Sequence, residues 1–220
     1  MYKILIITAF ACLFFTSCTP KNADKNPSVA TTKLSDSIAD EDANDGYQIN
    51  AEVTATKNYE LLIPDGFTLL SKAEGDINLD EISDVVIVVK SQQEKDDEPL
   101  GDDAPGRIVR LLVKDAKGFY TMAAESTTAI LAKNEGGASS DDPFQMIEIK
   151  PGQFTISHMG GAAERWSYDH TFTYNKKANA WFLTEINTGS YDADDAAKNN
   201  LTIETPKQFG KINFVDFKGI

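Results

Sequence analysis

The fold is decided by the stretch Arg165-Trp166-Ser167-Tyr168-Asp169-His170-Thr171-Phe172-Thr173-Tyr174, where ring-bearing side chains alternate with polar ones. Successive side chains of a β-strand point to opposite faces, so this alternation predicts a half-buried strand. The polar run 175–179 separates it from Trp181-Phe182-Leu183. Two apolar segments joined by a short polar run predict a hairpin, so this part of the chain is expected to be antiparallel β.

Further strands are predicted on either side of this hairpin. The β-branched run Val85-Val86-Ile87-Val88-Val89 has no polar face, which indicates a strand buried on both sides. Strands are also predicted at 107–113, 144–149 and 153–158, the last directly after the turn residues Pro151-Gly152. Helical patterns are scarce. We therefore predict a mainly β fold: a single antiparallel β domain with few short helices, built as a curved sheet or a sandwich.

The amino-acid composition argues against some classes of function. The 220 residues include 21 Lys and Arg against 34 Asp and Glu, a formal net charge of −13. A protein that binds a phosphate backbone needs clustered Lys and Arg, so the acid excess argues against nucleic-acid binding. The excess of acidic residues instead favours the binding of cations or basic partners, or a role in solubility. With 41% hydrophobic residues, the chain is too apolar to be wholly disordered.

The N-terminus has the pattern of a secretory signal peptide. Lys3 precedes the apolar run 4–15, which is too short to span a bilayer. The run ends in Phe15-Thr16-Ser17-Cys18, which resembles the bacterial lipobox, although Phe15 stands where Leu is usual. The resemblance implies that the signal is removed and that Cys18 becomes a lipidated N-terminus. The alternative is an ordinary cleaved signal with an incidental cysteine.

Lipidation at Cys18 makes the expected protein a lipoprotein of the cell envelope. Such lipoproteins usually carry three acyl chains such as palmitate, and several chains anchor a protein firmly where one does not. Thr19 replaces the Asp that retains enterobacterial lipoproteins in the inner membrane, so the outer membrane is the expected location. The next residues are polar and partly acidic without periodicity, which is typical of a flexible tether. The expected organisation is signal peptide 1–17, tether 18–46 and β domain 47–220.

The clearest chemistry lies in the loop Asp76-Ile77-Asn78-Leu79-Asp80-Glu81-Ile82-Ser83-Asp84, directly ahead of the buried strand. Calcium takes about six to eight oxygen ligands, and alternate residues of a tight loop can point them at one ion. The predicted ligands are the side chains of Asp76, Asn78, Asp80 and Asp84 and the carbonyl of Ile82. An EF-hand is excluded, because its bidentate acid would fall on Ile87. The alternative is a β-turn whose Asp and Asn cap their own backbone.

The spacing of this loop resembles the calcium loop of FG-GAP repeats, which lies between two strands of a blade in integrin α-chain propellers. The resemblance implies a bound calcium ion. The sixth loop position is normally Gly because the backbone there has a positive φ. Here it is Glu81, which implies a strain of about 1–2 kcal/mol. Only one copy of the loop occurs, whereas a propeller needs at least about four blades, so a full propeller is not expected.

A wider set of short motifs resembles a group of uncharacterised bacterial envelope proteins that contain one FG-GAP-like loop. These motifs are Asp65-Gly66-Phe67, the Asp76 loop, Arg110-Leu111-Leu112, Asp142-Pro143-Phe144, Ser157-His158 with Gly160-Gly161, and Trp166-Ser167-Tyr168. The group supports the domain boundary, and it brings no assigned activity.

Motifs of known enzyme classes are missing from the sequence. It has no Gly-x-Ser-x-Gly elbow, P-loop or dinucleotide fingerprint, and His158 and His170 lack the close partners of a zinc site. Acid pairs occur at 94–98, 102–103, 141–142 and 194–195, in predicted loops where acids are expected to be solvated. The aromatic stripe of 166–174 is expected to pack in the core.

We expect a lipid-anchored binding or structural module of the cell envelope with a calcium-stabilised loop, and not an enzyme. One alternative is a carbohydrate-binding accessory lipoprotein, which Trp166 or Trp181 would indicate if either were exposed beside a groove. Another is a hydrolase that uses two converging acids. The membrane is the expected partner through Cys18, and the sequence identifies no protein or glycan partner.

Overall fold

A computed structural model describes residues 54–94, 106–137, 142–192 and 194–219, and these residues fold mainly into β-strands. The predicted signal peptide, Cys18 and the tether 18–46 lie outside the described residues, as does the start of the predicted β domain. Within the described ranges, no helix has the length and apolarity that a membrane span requires.

The strands form two antiparallel sheets, each with its strands in sequence order. The four-stranded sheet contains β1 (Phe67–Gly75), β2 (Asp84–Ser91), β3 (Ile108–Lys114) and β4 (Tyr120–Ser126). The five-stranded sheet contains β5 (Phe144–Lys150), β6 (Gln153–Gly161), β7 (Glu164–Asn175), β8 (Ala180–Asp192) and β9 (Asn200–Glu204). The described residues also form a helix, α1 (Pro206–Phe209), and 3-10 turns at Tyr59–Leu62, Lys133–Glu135, Ala196–Lys198 and Phe214–Asp216.

The two sheets share one core, to which strands of both sheets contribute buried side chains. Val86 and Val88 of β2 belong to the same buried cluster as Phe154 of β6 and Phe172 of β7. The rings of Phe154 and Phe172 stack at 5.2 Å between centroids. The prediction of a single antiparallel β domain is confirmed in its sandwich form, and the described strands close neither a barrel nor a propeller.

β2 is buried on both faces, as its β-branched run predicts. Val85, Ile87 and Val89 point away from the shared core and form a second cluster with Leu62. Each residue of the run 85–89 is at most 1% exposed. An antiparallel sheet commonly has one solvated face. Here the 3-10 turn that ends at Leu62 covers that face of β2, so no polar alternation is needed.

The stretch 165–174 lies in β7 and turns its ring-bearing side chains toward the core. Phe172 is fully buried and His170 is 3% exposed. The remaining members of the stripe are half-buried: Trp166, Tyr168 and Tyr174. The predicted hairpin to Trp181-Phe182-Leu183 is the β7–β8 pair. The expectation that the stripe packs in the core is met most fully at its C-terminal end.

Candidate metal centre

The predicted calcium loop connects β1 to β2, which are adjacent antiparallel strands. Gly75 and Asp84 are partners in the β1–β2 register, so the two ends of the loop lie close together. Ile77 is fully buried and belongs to the core between the sheets. This apolar anchor fixes the loop, so its flanking polar residues are held near one another.

Three of the five predicted ligands come together in the loop. Asp76, Asp80 and Asp84 each place a carboxylate oxygen within 4.8 Å of the others. Calcium–oxygen distances are about 2.3–2.6 Å, so two ligands of one ion lie at most about 5 Å apart. The carboxylate separations therefore fit a single calcium ion.

The other two residues predicted to supply ligands, Asn78 and Ile82, both form hydrogen bonds with Asp80. The side-chain oxygen of Asn78 accepts the N–H of Asp80 at 3.1 Å, and its amide donates to Asp80 Oδ2 at 2.9 Å. Ile82 donates its N–H to Asp80 Oδ1 at 2.9 Å. Ligation by the Asn78 oxygen and the Ile82 carbonyl stays a prediction.

The carboxylate of Asp76 organises the loop backbone. Its Oδ1 accepts the N–H groups of Asn78, Leu79 and Asp80 at 2.7–3.2 Å, and its Oδ2 accepts that of Glu81 at 3.0 Å. The alternative interpretation, a turn capped by its own Asp and Asn, thus describes real contacts of this loop. The same hydrogen bonds hold Asp76 with its carboxylate on the inside of the turn, where a cation would sit.

Asp84 is the buried member of the cluster. It is fully buried, and its two oxygens accept the N–H groups of Ile77 at 3.1 Å and Lys114 at 2.8 Å. Burial, reinforced by the negative charges of Asp80 and Asp76, raises the pKa of Asp84 to about 6. A bound cation would compensate both the burial and the repulsion.

The backbone at the sixth loop position has a positive φ. Glu81 has φ +67°, and Leu79 has φ +62°. Side chains other than Gly are strained in this region by about 1–2 kcal/mol. The loop therefore has a positive φ at its sixth position although Glu81, which is strained there, takes the place of Gly.

Replacing Glu81 by Gly is expected to raise the free energy of unfolding by about 0.5–1 kcal/mol, because the strain relief exceeds the added flexibility of the unfolded chain. Thermal unfolding measures the change. The matched control is Ser83→Gly, an exposed position of the same loop without a positive φ, which is expected to lower the melting temperature. Equal destabilisation by both variants would contradict the assigned strain.

The loop is tied to the five-stranded sheet at three points. The indole Nε1 of Trp181 on β8 donates to the carbonyl of Ile77 at 2.7 Å. The N–H of Gly152, in the β5–β6 turn, donates to the carbonyl of Asp76 at 2.8 Å. The side chain of Leu79 lies against Gly152, where an added Cβ would be 2.8 Å from Leu79 Cγ. The loop thus links the two sheets, which its sequence pattern does not reveal.

Replacing Gly152 by Ala is expected to lower the free energy of unfolding by about 2–4 kcal/mol, because the added Cβ collides with Leu79 and the backbone has φ +74°. Gly118→Ala is the matched control: it has φ +85° with no atom within 4 Å of the added Cβ, so it bears the backbone strain alone. The difference between the two variants in free energy of unfolding, measured by chemical denaturation, is the effect of the contact with Leu79. Equal losses would mean that Leu79 does not hold the turn.

Two acids predicted to be solvated are instead paired with a buried arginine. Arg107 is 1% exposed and Glu94 is 6% exposed. The guanidinium donates to Glu94 at 2.5 and 3.0 Å and to Asp142 at 2.6 and 2.7 Å. The expectation for Glu94 was wrong, because a partner 13 residues away compensates its burial. Both carboxylates bind the same guanidinium. The two acids of a glycosidase instead flank the bond that is cleaved, so this cluster does not resemble a glycosidase site.

Neither tryptophan has the exposed ring that would indicate carbohydrate stacking. Trp181 is 3% exposed and its indole N–H is used by Ile77. Trp166 is half-buried and covers Gly160, where an added Cβ would lie 2.3 Å from its ring. The histidines are both buried, His158 on β6 and His170 on β7, and the described residues offer no cluster of three potential metal ligands that contains either.

Comparisons with known proteins identify no family for this chain. No protein-family model matches it, and no curated protein does. A solved structure, described as that of a Xanthomonas type IV secretion system related protein, is similar at 19% sequence identity with a TM-score of 0.35. The similarity covers 65% of this chain and 57% of that protein.

Proposed function

We propose that this protein is a lipid-anchored binding or structural module of the cell envelope, whose β1–β2 loop binds one calcium ion. The observation that carries the calcium proposal is the meeting of Asp76, Asp80 and Asp84, with oxygens within 4.8 Å of one another. The ion would be held by these carboxylates, with Asn78 and the Ile82 carbonyl as the further ligands that the spacing predicts.

Calcium suits this loop better than magnesium does. Magnesium requires a near-ideal octahedron at about 2.0–2.1 Å and keeps much of its water, whereas calcium accepts irregular oxygen sets at longer distances. The loop offers carboxylate oxygens that lie within 4.8 Å of one another, a spacing that the longer calcium–oxygen distances of about 2.3–2.6 Å fit. The chemistry supplied by the ion is charge neutralisation, which lets Asp84 remain ionised in the core.

Calcium in this loop is expected to stabilise the whole sandwich. The carbonyls of Asp76 and Ile77 accept hydrogen bonds from the second sheet, so ordering the loop strengthens the contact between sheets. A ligand that binds only the folded state stabilises it by about 2.7 kcal/mol at 100 times its Kd. The proposed role of the ion is therefore structural.

Thermal unfolding in excess EDTA, in millimolar calcium and in millimolar magnesium tests this proposal. We expect a calcium-specific rise of several degrees in Tm, which Asp80→Asn abolishes. Asp115→Asn is the matched control, because Asp115 also accepts loop N–H groups, in the β3–β4 turn, and lies outside the carboxylate cluster. An unchanged Tm in calcium, or an equal rise in the Asp80 variant, would refute the site.

The anchor is tested separately from the metal. Cells that express the full chain are labelled with radioactive palmitate, and the label is expected on wild-type protein in the outer-membrane fraction. Cys18→Ser is expected to lose the label and to be missing from the outer-membrane fraction, because no second acyl-bearing residue is predicted. A label retained by the Cys18 variant would contradict lipidation at this residue.

A further inference from the structure

Three of the four outer strands of the sandwich have described residues against their edges. β4 is bridged on its outer side by Thr56, which exchanges backbone hydrogen bonds with Tyr120, and the 3-10 turn Phe214–Asp216 packs against it. β1 and β5 contact each other, and a Cβ on Gly75 would lie 2.5 Å from Ile149. β9 differs: the short helix α1 that follows it in the chain contacts it, but of the described residues none pairs with its outer edge.

The residues of β9 make this edge unusually suited to pairing. The strand reads Asn200-Leu201-Thr202-Ile203-Glu204, and it pairs with β8 without a register shift. Leu201 is 62% exposed and Ile203 is 56% exposed. Exposed edge strands are usually protected by Lys, Pro or a bulge, because their free N–H and C=O groups recruit other strands. β9 has only five residues and carries one charge, at Glu204, but it contains no Lys, Pro or bulge.

We propose that β9 pairs with β9 of a second copy of this chain, antiparallel about a two-fold axis at Thr202. The two five-stranded sheets would then form one continuous ten-stranded sheet. Addition of a strand to a free edge is a recurrent mode of recognition, in which the main chain supplies the hydrogen bonds and alternate side chains supply the specificity.

The sequence of β9 is complementary to itself in this register. Residues whose numbers sum to 404 face each other, so Leu201 lies opposite Ile203 of the other copy. Cross-strand pairs of this kind stabilise a sheet, and like charges directly opposite destabilise it. The one charged residue of the strand, Glu204, lies opposite Asn200, so no like charges meet. This complementarity favours a second copy over an unrelated strand.

The dimer is expected to be weak and to strengthen with salt. Five residue pairs bury less surface than a standard interface of about 1,600 Å². Each copy carries a formal charge of −13, so long-range repulsion opposes association until salt screens it. Light scattering on the purified full chain in neutral detergent is expected to show the protein mass double between about 10 µM and 1 mM, at lower concentration in high salt.

A charge exchange on the strand tests the register. In Leu201→Lys/Ile203→Lys, each introduced ammonium faces another across the axis, and dimerisation is expected to be lost. In Leu201→Lys/Ile203→Glu, each ammonium faces a carboxylate, and dimerisation is expected to be retained. Both positions are exposed, so the thermal stability of the monomer serves as the folding control. Equal behaviour of the two variants would overturn the pairing.

A disulfide cross-link tests the axis independently. Thr202→Cys would place two thiols across the two-fold axis at a Cα separation of about 4.5–5.5 Å, which a disulfide can bridge. Oxidation is expected to give a covalent dimer. Thr188→Cys, at the paired position on β8, is the matched control and is expected to stay monomeric. A monomeric wild type at all concentrations and salts, or equal cross-linking of both variants, refutes the dimer.

Discussion

Acidification from pH 7 to pH 4 is expected to lower the free energy of unfolding by about 3–4 kcal/mol, because two buried histidines exclude protons in the folded state. His158 is 1% exposed and His170 is 3% exposed. Burial lowers the pKa of each to about 4, and the positive charges of His170 and Arg107 also disfavour a proton on His158. The Nδ1 atom of each ring has no partner among the described residues.

The direction of this pH dependence follows from the difference between the pKa of each histidine in the unfolded chain and its pKa in the folded protein. The unfolded chain takes up these protons near pH 6.5 and the folded protein only near pH 4, so stability is complete above pH 6.5 and is lost between the two values. Two histidines contribute a loss of about 6–7 kcal/mol at about 1.4 kcal/mol per pKa unit. Asp84 opposes it by about 3 kcal/mol, because its pKa is raised to about 6 and the folded state takes up that proton first.

Urea denaturation in EDTA at several pH values measures this loss. His170→Phe is the informative variant, because His170 lies 5.0 Å from the Phe217 ring and stacks on Tyr168. An aromatic replacement keeps that packing, and it is expected to remove about half of the histidine contribution. The same pH dependence in His170→Phe and wild type would show that His170 is not the source.

Replacing Arg107 by Met is expected to destabilise the protein by about 3–5 kcal/mol, because two carboxylates then lose the cation that compensates their burial. The side chain of Glu94 is 1% exposed and that of Asp142 is 33% exposed. The guanidinium also donates to the carbonyl of Leu131 at 3.2 Å. Chemical denaturation at pH 7 measures the change.

A control for Arg107→Met replaces the whole cluster. In Glu94→Leu/Arg107→Met/Asp142→Asn no charged side chain of this cluster remains, so most of the lost stability is expected to return. Lys150→Met, an exposed residue of β5, is expected to change stability by less than about 0.5 kcal/mol. A loss in Arg107→Met that the triple variant does not recover would mean that packing of the long side chain, and not charge compensation, is its role.

The features of this protein that the sequence predicts are local in the chain. β7 follows from alternation over consecutive residues, and the loop cluster follows from acids spaced within 76–84. The contacts that escape prediction join distant segments. Trp181 and Ile77 are 104 residues apart, and their hydrogen bond depends on how the two sheets pack.

The buried ion cluster escapes prediction for a similar reason. Glu94 and Asp142 lie in polar segments, and acids in such segments are normally solvated. Their burial depends on Arg107, which is 13 and 35 residues away from them. No periodicity marks this partnership, because each member comes from a different segment of the chain. The exposed edge of β9 is likewise visible only once the strand order is known.

The proposed function requires that calcium orders the β1–β2 loop and thereby strengthens its contact with the second sheet. Hydrogen exchange of the two indole N–H groups, followed by NMR with and without calcium, tests this claim most directly. The Trp181 indole reports the hydrogen bond to Ile77, whereas the Trp166 indole has no hydrogen-bond partner among the described residues and serves as an internal reference. We predict that calcium slows exchange at Trp181 at least about tenfold and leaves Trp166 unchanged. An unchanged rate at Trp181 under saturating calcium would contradict the account.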